Sequence, residues 1–397
     1  MRKRIRLLIA LLSVFVLFAA ACGDDDDSSD SADETDETDE TDTAAEGEGS
    51  IWVLLPDSAT SDRWEKDDRR FFKEGFEAAG LAEGDDFTIV NAEGSGETQI
   101  GQAEQAIGDG ASVIVLTSND SGSGAAIIDI AREAGVGVVE YDRFNTEGSA
   151  GGDIYVSFDN VEVGATMAEV ATPVIDELDA DPKQVVMLNG GETDNNAFLF
   201  RDGYNATVEE KVSAGEWELV DDQFVPEWDN QAAQDLMDQI LVAAENNVDA
   251  IFAANDGLAG GVIASLENAG LDPLEIPITG QDATQAGIQN VLLGVQTMTV
   301  YKPIKLEAAA AVDAALALRA GEDVTALSGE FVFIGIDADG KPTDSPEGEG
   351  VVPYMALTPI GVTADNVADT VIADGFRTVE EICTGDVAET DFCQENA

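Results

Sequence analysis

From residue 51 onward, short runs of apolar and β-branched residues alternate with longer stretches whose apolar positions return every three or four residues. The short runs have the length of buried strands, and the longer ones have the period of a single helix face. Strand-like runs fall at 51–55, 87–91, 112–117, 137–141 and 154–158, with amphipathic stretches between them at 62–79, 97–108 and 122–133. Gly135 closes the last of these, where helices commonly end in a left-handed residue. The alternation then restarts, with strands at 184–188, 218–224, 250–253 and 277–280 and helices at 196–214, 230–245 and 257–268. Strand, crossover helix, parallel strand is the order of a doubly wound sheet, so the pattern predicts two α/β halves.

Ahead of this body the pattern changes twice. Residues 7–21 are apolar, follow a basic start and finish in Ala19, Ala20 and Ala21 before Cys22. The run is short for a bilayer span and has the flanks of a cleaved export signal, which predicts signal peptide over 1–21 and lipidation of Cys22. A bacterial lipobox usually carries Leu where Ala19 stands, so plain secretion is the alternative. Residues 22–49, with their Asp-Glu-Thr repeat, cannot bury enough apolar surface to offset chain entropy and predict an extended, self-repelling linker.

The formal charge of −62 on 397 residues excludes nucleic acid and anionic lipid surfaces as partners; membrane association is expected through the lipid anchor only. Solubility in a salty habitat is the plain reading of that charge, which says little about a ligand. Apart from Cys22, the cysteines are Cys383 and Cys393, for which an extracytoplasmic setting predicts a local disulfide. The chain has no histidine, so neither a common zinc set nor a Ser-His-Asp or Cys-His arrangement can be assembled. There is no Walker-type phosphate loop either, and no metal, cofactor or catalytic role is expected. Two-carboxylate glycoside hydrolysis stays open in so acidic a chain. The stretch 337–340, Asp-Ala-Asp-Gly, lacks the spacing of a calcium loop and reads as a surface turn.

In open parallel sheets, ligands sit beyond the carboxyl ends of the strands. Asp142 and Arg143 follow the run at 137–141, Asn255 and Asp256 follow 250–253, and Gln281 and Asp282 follow 277–280. Carboxylates accept, guanidinium donates and carboxamide does both, the mixed polarity that sugar hydroxyls require. The plain alternatives are a local ion pair for Asp142 and Arg143, and helix capping for the others, above all Asp256. Trp64 and Trp228 offer flat apolar faces to the C–H side of a pyranose, although a tryptophan is more often simply packed. Arg63, Arg201 and Lys302 stand out because the chain has only 19 Lys and Arg.

Several strings carry a resemblance together: Arg63-Trp64, Glu97-Thr-Gln99, Tyr141-Asp-Arg143, Phe158-Asp-Asn-Val-Glu-Val-Gly164, Gly190-Gly-Glu-Thr-Asp-Asn-Asn196, Leu199-Phe-Arg201, Asn255-Asp256, Gly280-Gln-Asp-Ala283 and Gln296-Thr-Met-Thr-Val-Tyr-Lys-Pro303. In this order they resemble the D-xylose-binding proteins of bacterial ABC sugar importers and the similar multiple-sugar-binding proteins, within the type I periplasmic binding proteins. The resemblance runs from residue 51 to about 379. It implies two doubly wound parallel-sheet lobes joined by a three-strand hinge, with crossings near Ser157, Thr297 and Pro353. The lobes would then be 50–157 with 299–350 and 158–298 with 351–382, followed by a tail over 383–397.

Carried onto matching positions, Arg63, Asp142 and Arg143 would bind sugar from the first lobe, and Asn196, Arg201, Asn255 and Asp282 from the second. Trp228 would stack, Lys302 would reach in beside the second crossing, and Trp64 and Asp256 complete the set. The partners implied are a monosaccharide, D-xylose or a similar aldopyranose, and the permease subunits of an ABC transporter, met by a monomer on the outer side of the membrane. The 56–62 loop is closer to the multiple-sugar group, and 297–303 to the xylose group. A sugar sensor for a signalling receptor would share the same pocket.

Overall fold

The computed structural model describes residues 48–58, 61, 63–145, 151–334 and 349–396. The predicted export signal, Cys22, all but the end of the acidic linker and the turn at 337–340 lie outside the described residues. The strands are β1 (Ser50–Leu55), β2 (Phe87–Asn91), β3 (Ala111–Leu116), β4 (Gly137–Tyr141), β5 (Ile154–Phe158), β6 (Lys183–Asn189), β7 (Trp217–Phe224), β8 (Ala250–Ala253), β9 (Thr299–Tyr301), β10 (Gly329–Ile334), β11 (Glu349–Leu357) and β12 (Ile360–Val362).

β1 to β5 pair in parallel, and β11 joins β5 in parallel, giving the order β10-β11-β5-β4-β3-β1-β2 with β10 antiparallel at one edge. Alternation along β1 shows why this sheet is covered on both faces. Ile51, Val53 and Leu55 pack with Phe72 and Phe76 of helix Arg69–Ala78 and with Ala308 and Ala311 of helix Ile304–Arg319. Trp52 and Leu54 point the other way, into a cluster with Ala103, Ala106, Ile127 and Ile128 of helices Gly96–Gly108 and Ser121–Ala134. A continuous apolar strand therefore feeds two cores through its period of two.

The second sheet has the parallel order β7-β6-β8. The strand predicted at 277–280 is reduced to a single bridge from Ile278 to Ile251, and Gln281 bridges in turn to Val300 of β9. β9 pairs antiparallel with β12. Helices Asn160–Asp176, Gln285–Leu293 and Ile304–Arg319 complete the layers and were not among the predicted elements. At the βα junctions a side chain caps the helix that follows: Ser95, Asp120, Asp194, Asp229 and Asn255 each accept from a backbone N–H of the first turn.

The chain leaves the first sheet after Phe158 and returns after Tyr301, whereupon helix Ile304–Arg319 packs against β3, β4 and β5. It leaves again after Leu357. β9 stays paired with β12 through Tyr301, and β11 stays in register with β5 through Leu357. Cys383 and Cys393 are joined in a disulfide. The tail and the turn before it are held to helix Gln285–Leu293 by Gln285 donating to the Glu381 carbonyl at 2.7 Å and by Gln289 donating to the Ile382 carbonyl at 2.8 Å and to the Thr384 hydroxyl at 3.0 Å. Among the described residues no helix is long and apolar enough to cross a membrane.

Helices Asn160–Asp176 and Asn195–Ala214 touch through their backbones at Gly164 and Gly203. A methyl group on Gly164 would sit 1.9 Å from the Phe200 carbonyl oxygen, and one on Gly203 2.2 Å from that of Val161. Gly164→Ala or Gly203→Ala should thus destabilise the protein by about 1–3 kcal/mol, the usual cost of overpacking, as read from urea unfolding. An unchanged midpoint in both would show that the helices can separate freely.

Candidate functional site

The carboxyl ends of the parallel strands converge on a narrow cleft with about 30 Å³ of free space. Its walls are Ser61, Arg63, Trp64, Asp142, Arg143, Asp194, Asn196, Phe200, Trp228, Asn255, Gln281, Asp282 and Lys302. Asp142 and Arg143 follow β4, Asn196 opens the helix after β6, Trp228 ends the short turn after β7, Asn255 follows β8 and Lys302 follows β9. Each follows the end of a strand, so the sheet edge brings them into one place.

Arg63 is 2% exposed and spends its guanidinium on carboxylates. Its Nε and one terminal nitrogen donate to both oxygens of Asp68, each at 3.0 Å, and the other terminal nitrogen donates to Asp142 at 3.1 Å. Glu307 lies 3.3 Å away and Asp282 3.7 Å. Tyr141 donates to Asp68 from behind at 2.7 Å, and the Trp64 ring lies under the guanidinium at 4.0 Å. Lys302 donates to Asp142 at 3.2 Å and stands 3.5 Å from Asp282. Arg143 does not pair with its neighbour Asp142: its Nε stands 3.1 Å from Asp194, and it donates to the Ser118 carbonyl at 3.0 Å.

Asn196 donates to the Asp142 carbonyl at 2.9 Å and accepts from Asn160 at the same distance, which fixes the orientation of its carboxamide. Trp228 Nε1 donates to Asp194 at 3.2 Å, and its ring meets Phe200 edge to face at 6.2 Å. The indole lies over Gly190, where a Cβ would come within 2.0 Å of it, so only glycine leaves room. At the rim, Ser121 donates both its N–H and its Oγ to the Thr193 carbonyl, at 3.1 and 3.2 Å, bringing the helix after β3 against the loop after β6.

Asp142, Trp228 and Asp282 hold left-handed φ values of 62°, 58° and 92°. Residues other than glycine adopt that region at a cost of order 1–3 kcal/mol, tolerated where the surroundings over-determine the backbone and concentrated at ligand sites. Here the strain turns two carboxylates and an indole into one cleft.

The charges are set by burial and neighbours. Burial pushes the Asp142 carboxyl up, but Lys302, Arg63 and Arg143 outweigh it and hold the group well below the usual carboxylate range. Glu307 goes the other way: burial first, then the charge of Asp142, lifts it well above its ordinary value. Asp142, held by the fixed donors Arg63 and Lys302, gives the cleft a strong acceptor.

Ten of the residues singled out from the sequence line this cleft: Arg63, Trp64, Asp142, Arg143, Asn196, Trp228, Asn255, Gln281, Asp282 and Lys302. Arg201 does not. Its side chain points to β7, where it pairs with Asp222 through both Nε and a terminal nitrogen. Asp256 sits beside the cleft, lining a neighbouring cavity, and the capping role falls to Asn255, which accepts from Leu258 N–H at 2.9 Å. The residues missed are Asp194, Phe200 and Ser61 in the wall, with Asp68 and Glu307 behind it. Asp194 lies inside the string 190–196 and Phe200 inside 199–201. Glu307 was detectable as an acid among the apolar residues of 304–315.

Burial lifts the Asp256 carboxyl from its ordinary 3.8 to about 7, against hydrogen bonds from Gln296 and Thr284. The folded chain therefore keeps a proton there that the unfolded chain releases at lower pH. The stability this group contributes is present in full below its unfolded value and is lost as pH rises through about 7. Urea unfolding of the wild type and of Asp256→Asn across that window should show the wild type losing stability relative to the variant up to about pH 7 and no further change above it. A constant difference would mean that Asp256 is ionised in the fold.

Residues 53–323 match the periplasmic binding protein domain family. The D-xylose-binding periplasmic protein of Escherichia coli (strain K12) is 34% identical over 326 residues, 82% of this chain and 90% of that protein. The multiple sugar-binding periplasmic receptor ChvE of Rhizobium radiobacter is 29% identical over 356 residues, 85% and 93% of the two chains. Among solved structures, a carbohydrate transporter solute binding protein from Chloroflexus aurantiacus in complex with D-glucose superposes with a TM-score of 0.71 at 25% identity, covering 83% of this chain and 97% of that one. The parallel sheets, the cleft at their carboxyl ends and this match over most of the length lead to one assignment: the chain belongs to the periplasmic binding protein family, a family of solute-binding proteins and not of enzymes.

Proposed function

We propose that this protein captures a monosaccharide, D-xylose or a closely similar aldopyranose, outside the cytoplasm and delivers it to the permease subunits of an ABC transporter. The observation that carries the reading is the convergence of Asp142, Asn196, Asp282, Arg63 and Lys302 on one cleft with two indoles in its walls. Such a site offers acceptors and donors to vicinal hydroxyls and a flat face to ring C–H groups. A xylose-binding relative at 34% identity supports the pentose. The matches named for multiple sugars at 28–29% and the structural neighbours with bound glucose, inositol or allose place hexoses and cyclitols next in the order of trial.

In this proposal the first lobe comprises 50–158 and 302–357, the second 159–301 and 358–382, and sugar favours the closed arrangement because only there do both lobes bond the same hydroxyls. The protein works as a monomer held to the membrane through lipidated Cys22. A sensing role is the second reading, favoured by the relative that is named a receptor. Reconstitution with permease and ATPase subunits separates the two, since only a transport component drives sugar uptake.

Thermal unfolding against a panel of pentoses and hexoses should show its largest rise with D-xylose, because a ligand of the native state stabilises it in proportion to the logarithm of its excess over Kd. No rise with any sugar of the panel would end the reading. By calorimetry, Asp142→Ala and Asp282→Ala should each weaken the bound sugar tenfold or more, hydrogen bonds to charged groups being worth about 1.5–3 kcal/mol. Arg201→Ala should bind as the wild type does. Gly190→Ala should weaken binding by displacing the Trp228 indole without unfolding the chain; wild-type affinity in that variant would remove the indole from the site.

A further inference from the structure

The cleft is not closed on every side. Ser61, Asn255 and Asp282 belong at once to its wall and to that of a second, larger cavity of about 370 Å³. Beyond them the second cavity is lined by Asn230, Thr284 and Gln285 from the second sheet's helices and by Lys66 from the turn that also carries Trp64. Both sides of the cleft thus contribute to it, as they do to the inner one. Its lining is carboxamide, hydroxyl and carboxylate, with no aromatic ring and no cluster of bases. That is a vocabulary for neutral hydroxyl-rich groups and not for anions or apolar tails.

Two groups at the junction point to an occupant. Ser61 Oγ and Asp282 Oδ1 are buried and make no hydrogen bond among the described residues, although Asp282 stands within ion-pair distance of Lys302 and Arg63. Buried polar atoms are nearly always hydrogen-bonded, so a hydroxyl without a partner beside a carboxylate oxygen that has ion pairs but no hydrogen bond marks a place where a ligand hydroxyl completes the set. Asp256 forms the floor behind them. It accepts from Gln296 at 2.8 Å and from Thr284 N–H at 2.9 Å, so it ties the start of helix Asp256–Ala269 to the loop before helix Gln285–Leu293.

We infer that the site accepts a pyranose substituted at the oxygen facing Asn255 and Asp282, the ligand class being a disaccharide whose second ring lies in the outer cavity. This rests on the sugar-binding reading and extends it. The second ring meets hydrogen-bonding groups but no stacking face, so it is accommodated with little gain in affinity. A linear disaccharide can present either a substituted C1 or a substituted C4 to the inner cleft, which makes it the right probe.

The test is calorimetry on the whole protein with xylose and β-1,4-xylobiose, and with glucose and cellobiose, in the wild type and in Ala286→Trp. Ala286 is exposed on the wall of the outer cavity, so a large side chain there fills the cavity without entering the core. The expected result is a disaccharide Kd within about tenfold of that of its monosaccharide, and a loss of thirtyfold or more for the disaccharide alone in Ala286→Trp. A monosaccharide that binds while its disaccharide is a hundredfold weaker or silent overturns the extension and leaves the sugar reading standing. Equal disaccharide binding in Ala286→Trp overturns the outer cavity as its place. If no sugar binds at all, the reading falls and the extension with it.

Discussion

One buried guanidinium organises the cleft. Arg63 is fixed by Asp68, reaches Asp142 at the end of the first sheet, lies 3.3 Å from Glu307 on the helix after the second crossing and approaches Asp282 beyond the second sheet. A charge taken out of water is tolerated only with partners in good geometry, and removing one partner is far worse than never having had the pair. The groups that surround Arg63 come from segments distant in the chain, so its burial is complete only when those segments stand together. Lys302, placed where the chain returns to the first sheet, repeats the arrangement between Asp142 and Asp282.

Around this centre single residues carry several duties. Asp194 caps the helix that begins at Asn195, receives the Trp228 indole and balances Arg143. Asn255 caps its own helix while lining the cleft. Capping and ligand contact do not compete, because a cap lies at the start of a helix and the cleft is made of helix starts. For Asn255 the cap weighed from the sequence is present, and it leaves the residue in the cleft wall.

What could be read in advance follows from how local the cause was. Strand positions were legible because buried parallel strands are continuous apolar runs, and β2, β4, β5 and β8 fall where the pattern put them. The run at 277–280 misled because it has strand composition, yet only Ile278 finds a bridging partner. Helix Asn160–Asp176 was passed over although Asp159 caps it, and it carries Pro173 inside its span. In the site, residues directly after strands were found, whereas Asp68 and Glu307 were not, since their role depends on which distant arginine they meet. Arg201 shows the reverse error: a scarce base beside an aromatic is conspicuous, but its neighbour across the sheet, Asp222, is invisible until the strands are laid side by side.

The contact at the rim has a quieter implication. Ser121 takes hold of a peptide carbonyl at position 193, not of the threonine's own hydroxyl, and that side chain stays exposed. This contact therefore asks nothing of the side chain at residue 193, only of the course of its backbone. Any residue that keeps that course can keep the contact, which leaves the side chain of the outer lip free to face solvent or another molecule.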